Sequence, residues 1–445
     1  MKNPPRYKYS FITIAAITTA LLSGASIAQQ AMPSLPDAAA SDPQTLGIMQ
    51  GFPPPAKNQV KLADGSLWTF PKMRWTFSHI REVAPSSNVW RGQGKTAALP
   101  RKENKHLDAV TFVSMDGRTM TWADSLAQNY TDGIIVMHKG HIVYEKYFGA
   151  LKEHTPHIAM SMTKSFIGTL AAILVEEGKL DPNALVTQYV PELKDTAYGD
   201  ATVRQVMDMT ISVQYSEKYA DPKAEIWDYI RAGGSMPTPP NYTGPRNLYD
   251  FLLNLKTKEG EHGQAFAYKT PNAEVLGWVL QRVTGQSTAE LVSERIWQKI
   301  GAEDDAYFTV DSIGTSTAGG GLNTTLRDLA RVGEMFRLNG RFNGQQIIPA
   351  AVVADIRQGA SQDNFAKAGY TTLPGWTYRD MWWVAPASQG VFSMRGIHGQ
   401  TLWIDPKSDM VIARYASNPI AANPANDPIS LPAYAAIADQ LRREK

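Results

Sequence analysis

The clearest pattern of apolar and polar positions begins at residue 133. Gly133-Ile134-Ile135-Val136-Met137-His138 and His141-Ile142-Val143-Tyr144-Glu145-Lys146-Tyr147 are β-branched runs separated only by Lys139-Gly140. Two such runs around a two-residue glycine turn predict a hairpin. The period then lengthens. Ser161 through Leu170, Ile173 and Leu174 reads as a buried helix stopped at Gly178. Helical spacing returns at 202–209, at 272–283 with Leu276, Val279 and Leu280 on one face and Gly285 as the stop, at 288–300 and at 325–338. Strand character comes back at Met381-Trp382-Trp383-Val384, Gly390 to Met394, Thr401 to Asp405 and Met410 to Arg414, with Pro406 to Asp409 turning the last pair. A helix from about Leu431 to Arg442 closes the chain. Strands at both ends with helices between predict an α+β fold. One antiparallel sheet is built from distant segments, flanked by helices, with a mainly helical subdomain inserted at about 178–315.

Two stretches lack a period. Residues 29–110 are rich in proline, alanine and polar residues, broken most densely at Pro53-Pro54-Pro55. They read as an extended arm wrapped on a main domain of residues 111–445, with Trp68, Trp75, Phe77 and Trp90 as anchors. Residues 218–257 carry Pro239-Pro240 and the aromatics Trp227, Tyr229, Tyr242 and Tyr249, the composition of a lid or pocket wall. The run Gly319-Gly320-Gly321 lacks the Gly-Lys-Ser/Thr ending of a phosphate loop, so a close approach of backbones is expected there.

Composition narrows the class. The chain is 43% hydrophobic and 19% charged, with a formal net charge of +2 and no long basic run. That is a globular balance and argues against nucleic acid as a partner. Lys2, Arg6 and Lys8 precede an apolar run from Phe11 to Leu22, and Ser26-Ile27-Ala28 supplies small residues beyond it. This is the pattern of a signal peptide, residues 1–28, cleaved after Ala28. A periplasmic or secreted bacterial protein without stable membrane insertion is expected, its mature charge about −1. There is no cysteine, which excludes disulfides and thiol nucleophiles.

Chemistry concentrates at Ser161-Met162-Thr163-Lys164. Residues three apart share a helix face, so the lysine amine can reach the serine hydroxyl. A serine hydroxyl needs a neighbouring base, and a lysine shielded from water can serve in that transfer. At a helix start Ser161 also has free backbone N–H groups beside it, half of an oxyanion hole. Arg395-Gly396-Ile397-His398-Gly399 is the best source of a second donor. For the base, a Ser-His-Asp triad could draw on the eight histidines, but no Gly-x-Ser-x-Gly elbow surrounds Ser161. Tyr215, in Tyr215-Ser216-Glu217, is the alternative. His138 and His141 flank the hairpin turn with no further ligand near, so no metal is expected.

Ser161-x-x-Lys164, Tyr215-Ser216-Glu217, Tyr268-Lys269-Thr270-Pro271-Asn272 and Gly396-Ile397-His398-Gly399-Gln400, in this order, resemble serine hydrolases of the class C β-lactamase and penicillin-recognising fold. Among these the 6-aminohexanoate-dimer hydrolase group is the nearer match. The likeness spans roughly residues 110–440. It implies Ser161 as the acylated nucleophile, Lys164 and Tyr215 as the proton-transfer pair, and the backbone N–H groups of Ser161 and Ile397 as the oxyanion hole. Tyr268, Glu217 and His398 would line the substrate, and no metal or organic cofactor would be needed.

Two departures bear on the substrate. Glu217 stands where class C β-lactamases resemble Tyr-x-Asn, and Met394-Arg395-Gly396 stands where they have Lys-Thr-Gly. The missing lysine removes a cation suited to the β-lactam carboxylate, unless Arg395 points inward to replace it. The expectation is an exported hydrolase of a linear amide or ester. A carboxylesterase or D-amino-acid peptidase on the same fold, or a non-catalytic binder of a cell-wall ligand, are the competing readings.

Overall fold

The structure is a computed structural model and describes residues 36–444; the expected signal peptide lies outside them. Seven antiparallel strands form the main sheet, in the spatial order Thr377–Arg379, Trp382–Val384, Phe392–Gly396, Gln400–Asp405, Met410–Ala416, Thr131–His138 and His141–Tyr147. The early hairpin therefore joins the late strands, with Met410 opposite His138 and Arg414 opposite Ile134. Its turn is the one the sequence predicts: Lys139 and Gly140 both take positive φ, +49° and +81°, the geometry that matches strand twist.

Helices Leu326–Arg337 and Met162–Glu176 pack on this sheet. The second of these leans on the Trp382–Val384 and Phe392–Gly396 strands. Its Ser165 hydroxyl donates to the Met381 carbonyl at 2.7 Å, and Thr169 Oγ1 accepts from the Trp382 indole at 3.0 Å. Such buried polar pairs satisfy groups that would otherwise cost stability.

A second sheet, absent from the sequence reading, orders Ser86–Val89, Ala306–Thr309, Leu322–Thr324 and His157–Ile158. Each strand is four residues or fewer, too short to declare a period. The final strand of this sheet leads directly into Ser161.

Three other expectations change. Residues 218–257 hold two short helices, Ile226–Ala232 and Leu248–Leu253, the latter capped by Asn247. The closing helix starts at Asp427, earlier than expected, with Pro428 in its first turn and Pro432 inside. Pro432 has no N–H for the Pro428 carbonyl, and Met115 N–H takes that acceptor at 2.8 Å instead. Trp90 is 47% exposed and is held through its backbone, its carbonyl accepting from Ser293 Oγ at 2.7 Å, whereas Phe77 is fully buried. Phe77 lends its carbonyl to Ile158 N–H at 2.8 Å, so residues of the arm support the strand ahead of the serine. Among the described residues no helix is long and apolar enough to cross a membrane.

Candidate active site

Ser161 is the N-cap of the Met162–Glu176 helix and is partly exposed. Met160 before it has φ +48°, the left-handed region that a non-glycine residue enters at a cost. Thr163 holds this corner: its hydroxyl donates to Met160 O at 2.7 Å and accepts from Leu322 N at 3.1 Å. Ala159 N–H also donates to Leu322 O, at 2.8 Å. The turn that presents the serine is thus fastened to the second sheet.

One helical turn on, Lys164 is 1% exposed. Its Nζ lies 2.8 Å from Ser161 Oγ and 2.6 Å from the Gly319 carbonyl oxygen. Burial pushes the amine down to about 8, while the carboxylates of Glu217 and Glu274 act in the opposite sense. A lysine so placed is neutral often enough near physiological pH to accept a proton.

Tyr268, not Tyr215, is the tyrosine brought to this pair. The Tyr268 ring lies 5.2 Å from Lys164 Nζ, and the nearby Ser161 hydroxyl pulls the pKa of its phenol down. Tyr215 is buried against Phe251, and its hydroxyl has no hydrogen-bond partner. Burial, followed by the nearby Glu217, holds the Tyr268 phenol well above its ordinary range. It is therefore a neutral donor in the resting site rather than a phenolate.

Glu217 is half-buried beside these groups. Its carboxylate accepts from Thr270 N–H, and burial raises its pKa against the opposing pull of Lys164. This bond ties the 215–217 segment to the 268–270 segment. Lys269 turns away, donating to the Val213 carbonyl and Glu259. Trp383 packs 5.4 Å from Tyr268 and extends an aromatic wall through Tyr370 and Tyr378.

The expected oxyanion segment arrives at the end of the Phe392–Gly396 strand. Gly396 permits a tight approach, since a Cβ there would meet Ala159 O at 2.7 Å and Met160 Cβ at 3.0 Å. Ile397 follows and packs with Met160 and Phe77. His398 is held elsewhere: its Nδ1 lies 2.7 Å from Asn418 O and its ring 5.2 Å from Phe77. Burial pushes it down to about 4, so it is neutral, and those contacts make it a support of the loop. Arg395 faces the aromatic wall at 5.3 Å from Trp383, but its guanidinium is paired with the buried Asp427.

Glu274 escaped the sequence reading. The first ten residues of helix Pro271–Thr284 are buried, and Glu274 is the single charged residue among them. That isolated charge on an apolar stretch was the available signal. It accepts from Tyr229 OH at 2.7 Å, Gly319 N–H at 2.7 Å and Ala318 N–H at 3.0 Å. The glycine run does make the expected close approach, Gly319 having no room for a Cβ beside Thr270 and Tyr229.

A cavity of about 220 Å³ lies between Asp208, Thr210, Phe266, Asn364, Phe365 and Tyr378; Ser161, Lys164 and Tyr268 do not line it. Glu153, His154 and Glu303 are close enough to share an ion, but Arg327 already pairs with both glutamates.

Residues 123–430 match the β-lactamase family. The chain is 35% identical to a 6-aminohexanoate-dimer hydrolase of Paenarthrobacter ureafaciens over 350 residues, 78% of this chain and 86% of that one. A solved structure of a candidate 6-aminohexanoate-dimer hydrolase from Bacillus anthracis superposes with a TM-score of 0.79 at 34% identity, covering 87% of this chain and 99% of that one. The octameric penicillin-binding protein homologue from Pyrococcus abyssi shares the fold at a TM-score of 0.55 and 20% identity, over 72% and 75% of the two chains.

Proposed function

The chain belongs to the β-lactamase family and is a hydrolase similar to 6-aminohexanoate-dimer hydrolase, and from that premise we propose that it cleaves a linear amide or ester through an acyl-enzyme on Ser161. The observation that carries this reading is the 2.8 Å contact between Lys164 Nζ and Ser161 Oγ in a site where the lysine is buried.

Neutral Lys164 takes the Ser161 proton as Oγ bonds to the substrate carbonyl carbon. The carbonyl oxygen gains the electron pair and is met by the N–H groups of Ser161 and Ile397. As the tetrahedral adduct collapses, the Tyr268 phenol gives its proton to the departing nitrogen or oxygen and is recharged from the Lys164 ammonium. Water then attacks the ester on Ser161 by the reverse route, releasing the acid. Tyr268 replaces Tyr215 in this assignment, because its ring lies beside Lys164 while the Tyr215 hydroxyl is buried without a partner.

The paired state of Arg395 favours substrates without an obligatory carboxylate next to the scissile bond. We also propose that the protein is exported, with cleavage after Ala28; N-terminal sequencing of the periplasmic protein tests this.

A fluorophosphonate probe followed by peptide mass spectrometry should label Ser161. A folded but unlabelled protein would sink the acyl-enzyme reading and favour a binding role. Initial rates on 6-aminohexanoate dimer, p-nitrophenyl butyrate and nitrocefin then rank the substrates. Nitrocefin is expected to be the slowest, and nitrocefin as the fastest would overturn the reading of Arg395.

A further inference from the structure

Lys164 Nζ has two acceptors, the serine and the Gly319 carbonyl. The second of these shapes what the amine can do. A neutral amine carries two N–H bonds and one lone pair, and only the lone pair can take the serine proton. A second acceptor claims one N–H in either protonation state and leaves the lone pair free to turn toward Oγ. The usefulness of Lys164 as a base therefore depends on what holds the Gly319 carbonyl in place.

The holder is Glu274. Its carboxylate binds the N–H groups of both Ala318 and Gly319, and Tyr229 OH completes its shell. The space around Gly319 is closed as well. A Cβ there would sit 2.5 Å from Thr270 Cγ2, 2.6 Å from Tyr229 OH and 2.9 Å from Glu274 Oε1. A buried carboxylate with three donors is a costly feature that an apolar helix face would not carry for packing alone.

We propose that Glu274 is a positioning residue for the proton transfer, fixing the Gly319 carbonyl on Lys164 and setting the proton affinity of that amine through its charge. This inference rests on Lys164 being the base. Burial pushes Glu274 up to about 7, so its charge changes within the working range. The groups facing it are Tyr229, Tyr249 and Lys164. Those facing Lys164 are Glu217, Glu274 and Tyr268. Carboxylate charge at residue 274 favours the ammonium form, so removing it must lower the lysine's proton affinity.

The test is the Glu274→Gln variant of the full mature chain, with rates on p-nitrophenyl butyrate and fluorophosphonate labelling of Ser161 followed against pH. Expected are a kcat lowered by about ten- to a hundredfold, a KM within about threefold of wild type, and an acid limb displaced to lower pH in both readouts. Glu274→Asp, which keeps the charge, should return the limb to its wild-type position. A Glu274→Gln protein with kcat within about twofold and a superimposable labelling profile would overturn the proposal. If that variant does not fold, Tyr229→Phe carries the test. Loss of its hydroxyl makes the Glu274 carboxylate easier to protonate, so the limb should move the same way, and an unmoved limb overturns the proposal. Failure of the acyl-enzyme reading shows separately, as a wild-type protein that the probe does not label.

Discussion

Gly396 lies so close to Ala159 that a Cβ on it would stand 2.7 Å from the Ala159 carbonyl oxygen. That approach brings Ile397 beside the turn carrying Ser161, and it needs a residue without a side chain. Gly396→Ala should push the strand end away from Met160 and spoil one oxyanion donor. Loss of such a donor costs about a hundredfold or more in kcat. Steady-state kinetics on p-nitrophenyl butyrate beside a thermal melt checks this; a well-folded variant with unchanged kcat would remove Ile397 from the oxyanion site.

The two tyrosines should part company. Tyr268→Phe removes the phenol carried beside Lys164 and should lower kcat by at least about a hundredfold, the scale of a general acid–base group. Tyr215→Phe removes a buried hydroxyl with no partner and should leave kcat within a few-fold. The reverse ranking would restore the assignment that the motif order suggests.

That exchange shows what the sequence could and could not convey. Ser161 and Lys164 were legible together because one helical turn joins them, and the hairpin because Lys139-Gly140 dictates its turn locally. Which tyrosine meets the serine is a tertiary fact. Tyr215-Ser216-Glu217 and Tyr268-Lys269-Thr270 lie side by side, linked by the bond from Thr270 N–H to Glu217. Both are irregular segments bearing one tyrosine, and residue order cannot say whose ring turns inward. The second sheet was hidden for a related reason. Ser86–Val89 is a strand only because Ala306–Thr309, far along the chain, supplies its hydrogen bonds.

Activity should rise with pH. Lys164 works as a base only when neutral, and burial sets its pKa at about 8. The neutral fraction grows as pH passes through that value, so kcat/KM should climb from acid solution and be half-maximal near it. Lys164→Arg keeps the charge at all accessible pH and should be slower by at least about a hundredfold, without that limb. A wild-type profile already flat from about pH 5, below both this value and the Glu274 range, would assign the proton to another group.

Gly168 offers a prediction about the scaffold alone. It sits mid-helix on the face that meets the Asp380-Met381 turn, where a Cβ would overlap the Asp380 carbonyl oxygen and lie 2.9 Å from Met381 Cβ. Alanine normally favours a helix over glycine by about 1 kcal/mol. Here the clash is with backbone, which cannot rotate away, and Asp380 is itself fixed by Arg204 and by its N–H bond to Asp208 at 3.1 Å. Overpacking of this kind costs about 1–3 kcal/mol or more, so it outweighs the helix preference. Gly168→Ala should therefore lower the denaturation midpoint. Because Ser165 and Thr169 brace the same helix against Met381 and Trp382, the shift should propagate to Ser161 and reduce kcat as well. Urea denaturation with parallel kinetics decides it: a variant as stable as wild type would mean that the helix stands farther from the sheet than this packing has it.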